Sequence, residues 1–308
     1  MNPKVTIIMR TKNSADIVHQ ALASMFAQDF KDFELLVVDS GSTDETLDMV
    51  AAYPHRLQQI RPEDYFPGRV LNQGAAAAAG EILVFWNSDV VALDPHALGR
   101  LVAAFDREEL VAAFARQLPR PEAHVWVRRD YRRSFPERGP APPWISLSLP
   151  LAAMRKRIWE QRPFYTDAWA SEDSEWGHWA RRAGYEVAYV ADARVMHSHN
   201  YTLRQLYGRM FVEGEADAFI HGGKASLLGH VRGYVGAVLG DCAAEWKEGR
   251  LRDMPLAFAR RAVFQWAHLK GWKHGAQRRE EGNFDAEFGQ RVVLARHEST
   301  EKAEKARQ

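Results

Sequence analysis

Three polar tripeptides each follow a run of apolar residues in the first third of the chain. They are Arg10-Thr11-Lys12, Asp39-Ser40-Gly41 and Asn87-Ser88-Asp89. A carboxylate such as that of Asp39 can accept a hydrogen bond from the N–H of a uracil or thymine ring or from a ribose hydroxyl, and the Thr11 hydroxyl can contact a base. The alternative is that Asp39 only caps the backbone amides of a turn and that Thr11 lies in a solvated loop.

Arg69 is a candidate for binding a diphosphate. It follows Pro67-Gly68 and precedes an alanine-rich helical pattern over residues 70–79. A guanidinium group binds phosphate oxygens bidentately, and the N-terminus of a helix also favours anions. A surface arginine after a turn is the competing interpretation, and it explains these residue types equally well.

Alternating strand and helix patterns explain how the polar tripeptides would meet. Short apolar runs predict buried strands over residues 5–9, 34–38, 82–86 and 110–114. Helical patterns lie between them, and such an alternation is typical of a parallel sheet covered by helices on both faces. Ligands bind these sheets beyond the carboxyl ends of the strands. The sequence therefore predicts an α/β fold with a mostly parallel, Rossmann-like sheet and a ligand site at one sheet edge.

The rest of the chain is less regular. Residues 115–150 contain many arginines and prolines and predict long loops, which include the basic run Arg128, Arg129, Arg132 and Arg133. Residues 154–160 predict a short helix, and the chain is helical in pattern from about residue 200. We therefore expect an α/β domain over residues 1–200 and a helical region over residues 201–308, with a frayed, charged end.

Composition is that of a globular protein. The 308 residues are 46% hydrophobic and 26% charged, and the formal net charge of +1 gives no reason to expect nucleic-acid binding. The one cysteine, Cys242, excludes an intrachain disulfide, and this predicts a reducing, cytoplasmic location. Residues 253–273 form a roughly amphipathic basic helix, which could pack on the protein, form a homodimer contact or lie on the inner face of a membrane.

Several segments resemble family 2 glycosyltransferases with the GT-A fold. They occur in the family's order over roughly residues 4–200: VTIIMRTKNS, FELLVVDSGSTDETL, EILVFWNSDVV and SEDSEWGHWARRAGYEVAYV. The segments YFPGRVLNQGAAAAAGEIL, FARQLPRPEA and HSHNY resemble a bacterial subgroup often labelled rhamnosyltransferase-like, a label that does not identify the donor sugar. The resemblance implies transfer of a sugar from a nucleoside-diphosphate sugar of the UDP, dTDP or GDP type to a hydroxyl of a saccharide or lipid-linked acceptor.

Asn87-Ser88-Asp89 looks like a variant of the D-x-D motif of this family. The resemblance makes Asp89 a ligand of Mn²⁺ or Mg²⁺, which prefer oxygen donors. Asn87 replaces the first aspartate of the motif, and we expect it to contact the ribose. The resemblance also implies that a histidine at this position, His197 or His199, completes the metal site. An imidazole ligand favours Mn²⁺ over Mg²⁺. Two histidines in a polar loop are the competing interpretation.

The resemblance places the catalytic base on Asp173, which precedes a predicted helix. Transfer to a hydroxyl needs a group that removes its proton, and a base acting on the acceptor implies single displacement with inversion. Glu172 is then a substrate contact, although both carboxylates could simply complement the helix N-terminus. Trp176 on the same helix is a candidate for stacking on a sugar, or else a core residue.

Two other functions share this substrate class. One is a nucleotidyltransferase that makes activated sugars. The absence of a glycine-rich triphosphate-binding loop after the first predicted strand argues against it. The other is a non-catalytic nucleotide-sugar-binding protein, and Asn87 in place of an aspartate keeps this hypothesis open.

Overall fold

The computed structural model describes residues 3–284. Within them, eight strands form one sheet: β1 Val5–Thr11, β2 Phe33–Asp39, β3 Arg56–Gln59, β4 Ile82–Trp86, β5 Val91–Ala92, β6 Leu110–Leu118, β7 Leu151–Arg155 and β8 Glu186–Met196. The α-helices of the same part of the chain are α1 Val18–Phe26, α2 Thr46–Ala51, α3 Pro67–Ala77, α4 Ala97–Ala103, α5 Val125–Ser134, α6 Lys156–Gln161, α7 Glu172–Arg182, α8 Leu203–His221, α9 Leu227–Lys247 and α10 Met254–Glu280. Short 3-10 helices cover Pro62–Asp64, Ala104–Asp106 and Leu251–Asp253.

The sheet is mixed, and its order is β3-β2-β1-β4-β7-β6-β8-β5. The first four strands in this order are parallel to one another, as the sequence predicts. β7 runs antiparallel to both of its neighbours, β8 is parallel to β6, and β5 is antiparallel to β8. The predicted α/β fold is confirmed, with a larger antiparallel share in the sheet than the sequence indicated.

Both faces of the sheet are covered at its centre, which explains the continuous apolar runs in β1, β2 and β4. Met9 of β1 lies in one core layer with Leu22 of α1 and Leu98 of α4. Ile8 lies in the opposite layer with Leu71 of α3, together with residues of α6 and α7. Successive residues of a strand point to opposite faces, so a strand between two helical layers needs apolar side chains on both.

β7 is the strand that sequence patterns miss. Its residues are Leu-Ala-Ala-Met-Arg, all of them good helix formers, and the predicted helix over residues 154–160 begins only at Lys156. β7 lies between β4 and β6, so cross-strand pairing at the centre of the sheet determines its conformation. Tertiary context overrides intrinsic propensity here.

The prediction of long loops over residues 115–150 is wrong in two places. β6 continues to Leu118, and residues 125–134 form α5. The four arginines predicted to form a basic loop therefore lie on a helix, where residues four apart, such as Arg128 and Arg132, are neighbours. Proline-rich flanks on both sides of α5 hide its periodicity in the sequence.

The described residues form two compact units. The first comprises residues 3–122, 130–164 and 173–198, and the second comprises residues 123–129, 165–172 and 199–284. The expected division at residue 200 stays a prediction: the chain changes unit near that position, but two earlier segments also belong to the second unit. The frayed end expected over residues 298–308 lies outside the described residues.

Close helix packing and buried ion pairs organise the second unit. α8 and α10 pack closely at glycines, because a Cβ on Gly271 would overlap the Phe211 carbonyl oxygen. The carboxylate of Asp241 on α9 is fully buried and accepts hydrogen bonds from Arg261 (2.5 and 2.9 Å) and Arg129 (2.8 Å). Arg261 of α10 is therefore tied into the interior, although it lies in the segment predicted to be amphipathic.

The outer face of α9 is apolar. Its exposed large apolar residues recur at helical spacing: Leu227, Leu228, Val231, Val235, Leu239 and Trp246. Over residues 227–246, all of which the structure describes, Arg232 is the one exposed charged side chain. None of the helices in the described part of the chain is both long and apolar enough to cross a membrane.

Candidate functional site

The carboxyl ends of β1, β2 and β4 lie at one edge of the sheet, because these strands are parallel neighbours. The Ser40 N–H donates to the Thr11 carbonyl oxygen over 3.0 Å, which joins the ends of β1 and β2. The hydroxyls of Ser14 and Ser88 lie 3.2 Å apart, which joins the loops after β1 and β4. The three polar tripeptides singled out in the sequence are therefore brought together.

Side-chain hydrogen bonds fix the loops after β1 and β2 to each other. The Asn13 amide oxygen accepts the Thr43 N–H over 2.8 Å, and the Ser42 hydroxyl accepts the Asn13 N–H over 2.9 Å. Asn13 has φ of +46°, a left-handed conformation that asparagine tolerates better than most residues. Burial raises the pKa of the Asp44 carboxyl, but hydrogen bonds from Thr46 and from the Ala15 N–H outweigh it and leave that pKa lowered.

Asp39 is fully buried at the end of β2, where its carboxylate organises the turn that follows. Oδ2 accepts the N–H groups of Gly41 and Ser42, each over 3.0 Å, and Oδ1 accepts the Ser42 hydroxyl over 2.5 Å. This is the turn-capping role considered above as the alternative. A carboxylate has about four acceptor positions, so these three bonds still leave one acceptor position on Oδ1. The nucleoside-contacting role of Asp39 stays a prediction.

Thr11 is buried at the end of β1. It is 4% exposed, and its hydroxyl is a buried polar atom with no hydrogen-bond partner among residues 3–284. Leaving such a group unpaired costs roughly 1–3 kcal/mol. Because this oxygen is buried, the contact of Thr11 with a base stays a prediction.

The turn carrying Asn87 and Asp89 is held rigidly. The Trp86 indole N–H donates to the Val90 carbonyl oxygen over 2.9 Å, and the Val90 N–H donates to the Asn87 carbonyl oxygen over 3.1 Å. The Asn87 N–H donates in turn to the carbonyl of Pro150 over 3.0 Å. These bonds determine the direction in which the turn presents its side chains.

Asp89 meets His197 because β5 pairs with β8. Val91 lies opposite Met196 in this antiparallel pair, so the residues flanking the two strands adjoin. Asp89 Oδ2 lies 3.4 Å from His197 Nε2, and the His197 side chain is largely buried.

Asp89, His197 and His199 form a donor set that suits a divalent cation. Each offers one ligand atom, and these atoms lie within 4.8 Å of one another. One carboxylate oxygen with two imidazole nitrogens fits Mn²⁺ better than Mg²⁺, which strongly prefers oxygen. Both histidines predicted from the sequence lie within this distance, and which of them binds the cation stays open.

Asp173 lies in the first turn of α7, which begins at Glu172 rather than after the pair. Its Oδ1 accepts the Ser174 N–H over 2.7 Å, as expected of a carboxylate at a helix N-terminus. Its Oδ2 accepts the Leu149 N–H over 3.1 Å. Backbone donors from two segments therefore orient this carboxylate.

Residues 146–150, just before β7, connect the parts of the site. The Pro150 carbonyl accepts the Asn87 N–H, the Leu149 N–H donates to Asp173, and Ser148 accepts from Gln117 over 2.8 Å. Sequence reasoning missed this segment because its residues carry no obvious chemistry. The alternation of serine and leucine over residues 146–149 is the signal that could have indicated an extended, half-buried segment.

Two predicted site residues lie in other settings. Trp176 is fully buried in the core beneath α7, and its indole N–H donates to the Arg162 carbonyl oxygen over 2.8 Å. A ring without an exposed face cannot stack on a sugar, so Trp176 is a core residue. Arg69 is exposed in the first turn of α3, with its guanidinium 4.9 Å from the centroid of the Phe66 ring. Its role toward a diphosphate stays a prediction.

Comparisons with known proteins show similarity in both sequence and fold. The family model described as glycosyl transferase family 2 matches residues 6–168. The chain is 29% identical over 224 residues to the O-antigen chain rhamnosyltransferase RfbN of Salmonella typhimurium, covering 68% of this chain and 71% of the relative. It is 27% identical over 227 residues to the O-antigen chain rhamnosyltransferase WbaN of Salmonella anatum, covering 69% and 71%.

A solved structure with the same fold is that of the mannosyltransferase PcManGT from Pyrobaculum calidifontis, in complex with GDP-Man and Mn²⁺. The TM-score is 0.57 at 22% sequence identity, and the likeness covers 96% of this chain and 86% of the other. At this level of identity the likeness establishes the fold.

Proposed function

Because the chain belongs to glycosyltransferase family 2, we propose that it is an inverting, divalent-metal-dependent enzyme that moves a sugar from a nucleoside diphosphate to a hydroxyl acceptor. The proposal rests on the contact between the Asp89 and His197 side chains, which lies beside the sheet edge where Thr11 is buried. The nucleotidyltransferase alternative is not favoured, because the family and its relatives transfer sugars. The relatives that are rhamnosyltransferases suggest a deoxyhexose donor.

Each part of the proposed site has a separate task. Thr11 and Asp39 would contact the nucleoside, and Asn87 would contact its ribose. Arg69 would bind the diphosphate, and Glu172 would contact the substrate. Asp89 with His197 or His199 would hold the cation, which when bound neutralises charge on the departing diphosphate. Asp173 would accept the proton of the acceptor hydroxyl as that oxygen attacks the anomeric carbon, and a single displacement of this kind inverts the configuration.

Ligand-dependent stability tests the nucleotide and the metal together. We expect one of UDP, dTDP and GDP to raise the melting temperature in the presence of Mn²⁺ and to have little effect in EDTA. A ligand at a hundred times its Kd stabilises the native state by about 2.7 kcal/mol, which shifts a melting curve measurably. Transfer of radiolabelled sugar from the matching donor, followed by analysis of the anomeric configuration of the product, then tests the reaction itself. An equal shift in EDTA would argue against metal dependence.

We also propose that the acceptor is reached at the inner, cytoplasmic face of a membrane, through the outer face of α9. That face presents apolar residues over about five helical turns. Over residues 227–246 its one exposed charged side chain is that of Arg232. Exposed cations stand near its ends at Lys224 and Lys247. Apolar side chains flanked by cations suit a surface of anionic phospholipid. The segment around Trp266, for which the sequence analysis considered membrane contact, is less suitable because it also contains buried residues.

Vesicle sedimentation tests this contact. Burying a leucine or valine contributes about 1.5–3 kcal/mol, so Val235→Glu with Leu239→Glu should weaken binding to vesicles containing phosphatidylglycerol at least about tenfold. The matched control is Ala51→Glu with Ala52→Glu, two exposed alanines at the end of α2, which should bind as wild type. No binding by the wild-type protein, together with a dimer in light scattering that Val235→Glu and Leu239→Glu dissociate, would assign the face to a second copy instead.

A further inference from the structure

Gln117 is a buried amide that bridges two parts of the candidate site. It lies near the end of β6, where it is 4% exposed. Its amide oxygen lies 2.9 Å from His197 Nδ1, and its amide nitrogen donates to the Ser148 hydroxyl over 2.8 Å. Both polar ends of the side chain are therefore engaged, one of them by a histidine that faces Asp89.

Strand register explains why Gln117 and His197 meet. β6 and β8 are parallel, and Gln117 pairs with Val195. Side chains two residues apart on an extended segment point to the same face, so His197 projects on the face that Gln117 occupies. The His197 N–H donates to the Leu118 carbonyl oxygen over 2.9 Å, which keeps the backbone extended beyond the last residue of β8.

Hydrogen-bond chemistry then determines which nitrogen of His197 carries the proton. An amide oxygen only accepts hydrogen bonds, so the ring nitrogen facing it, Nδ1, must donate. In a neutral ring whose Nδ1 donates, Nε2 carries the lone pair, and Nε2 lies 3.4 Å from Asp89 Oδ2. The carboxylate also only accepts hydrogen bonds, so two electron-pair donors face each other here, an arrangement that suits a cation between them. A ring nitrogen can bind a cation only through such a lone pair. The Tyr131 hydroxyl lies 3.3 Å from Nδ1 and so adds a weaker contact on the same side of the ring.

We propose that Gln117 is a positioning residue, which holds His197 in the tautomer and orientation that direct Nε2 toward a cation shared with Asp89. This inference rests on the proposed metal site. In this role Gln117 contacts neither the cation nor the substrate. It acts through His197, in the way that hydrogen-bonded partners of metal-binding histidines generally orient the ring and raise its basicity.

Two substitutions separate positioning from packing. Gln117→Leu keeps the size and removes the acceptor, and loss of such a partner lowers metal affinity about 10–100-fold. Gln117→Glu keeps an acceptor toward Nδ1, and the Ser148 hydroxyl can donate to its other oxygen. We therefore expect Gln117→Glu to bind Mn²⁺ within a few-fold of wild type. A role in packing alone predicts the reverse order, because a buried carboxylate is harder to accommodate than leucine.

The experiment is a titration of the full chain with Mn²⁺ alone, following free Mn²⁺ by its electron paramagnetic resonance signal. Asp89→Ala and His197→Ala serve as reference variants, and a thermal melt confirms that each variant is folded. If Gln117→Leu does not fold, Ser148→Ala takes its place; it frees the amide to turn and should weaken binding less than His197→Ala but more than Gln117→Glu.

The outcomes distinguish the inference from the proposed function. Weak binding by Gln117→Leu with retained binding by Gln117→Glu supports the positioning role. Unchanged binding by Gln117→Leu overturns it, while weak binding by Asp89→Ala and His197→Ala in the same experiment leaves the metal site standing. Unchanged binding by those two reference variants overturns the proposed metal site, and the positioning role with it.

Discussion

Replacing Asp173 with asparagine is expected to lower kcat for sugar transfer by about 10²–10⁴-fold, the usual contribution of a general base. Asparagine has nearly the same shape, and its amide oxygen can still accept one of the two N–H groups that orient Asp173, that of Leu149 or that of Ser174. It cannot take a proton from the acceptor hydroxyl. Donor binding should change little, because the proposed role begins only when the acceptor oxygen attacks.

Single-turnover product formation at saturating donor and acceptor measures this effect. The matched control is Glu172→Gln, which removes the neighbouring carboxylate at the start of the same helix and should change KM more than kcat. An Asp173→Asn enzyme with wild-type kcat would contradict the assignment and leave Asp173 with the role that its bond to the Ser174 N–H already indicates, that of stabilising the N-terminus of α7.

The second large effect is expected at Asp89. Asp89→Ala removes the one carboxylate of the Asp89, His197 and His199 donor set, and we expect both Mn²⁺ binding and sugar transfer to be lost. A bound cation stabilises the charge of a leaving group by several kcal/mol, so the rate should fall at least about 10³-fold. Mn²⁺ titration and transfer of labelled sugar measure the two losses on the same preparation.

Asn87 provides the control for that experiment. It lies two residues away in the same rigid turn, and its proposed contact is the ribose. Asn87→Ala should therefore raise KM for the donor while leaving the affinity for Mn²⁺ alone within a few-fold of wild type. Full activity of Asp89→Ala in the presence of EDTA would contradict metal dependence and direct attention to cationic side chains as the groups that neutralise the diphosphate.

Local pattern was sufficient for much of the first half of the chain. The central residues of β1 and β2 and all of β4 are apolar because helices cover both faces of the sheet. That pattern is visible without any knowledge of partners. The polar residues that follow these strands meet at one edge because parallel neighbours end together. The same reasoning failed for β7, whose residues favour a helix locally, and for α5, a short helix between proline-rich segments.

The sequence by itself determined the α/β class, the edge of the sheet at which polar residues gather and, through motif resemblance, the family. Only the tertiary structure decided which side chains touch. Pairing of β5 with β8 brings Asp89 to His197, the register of β6 with β8 places Gln117 behind that histidine, and packing under α7 buries Trp176. The physical reason is that periodicity reports which face of an element is buried, whereas pairing between distant strands depends on the whole sheet.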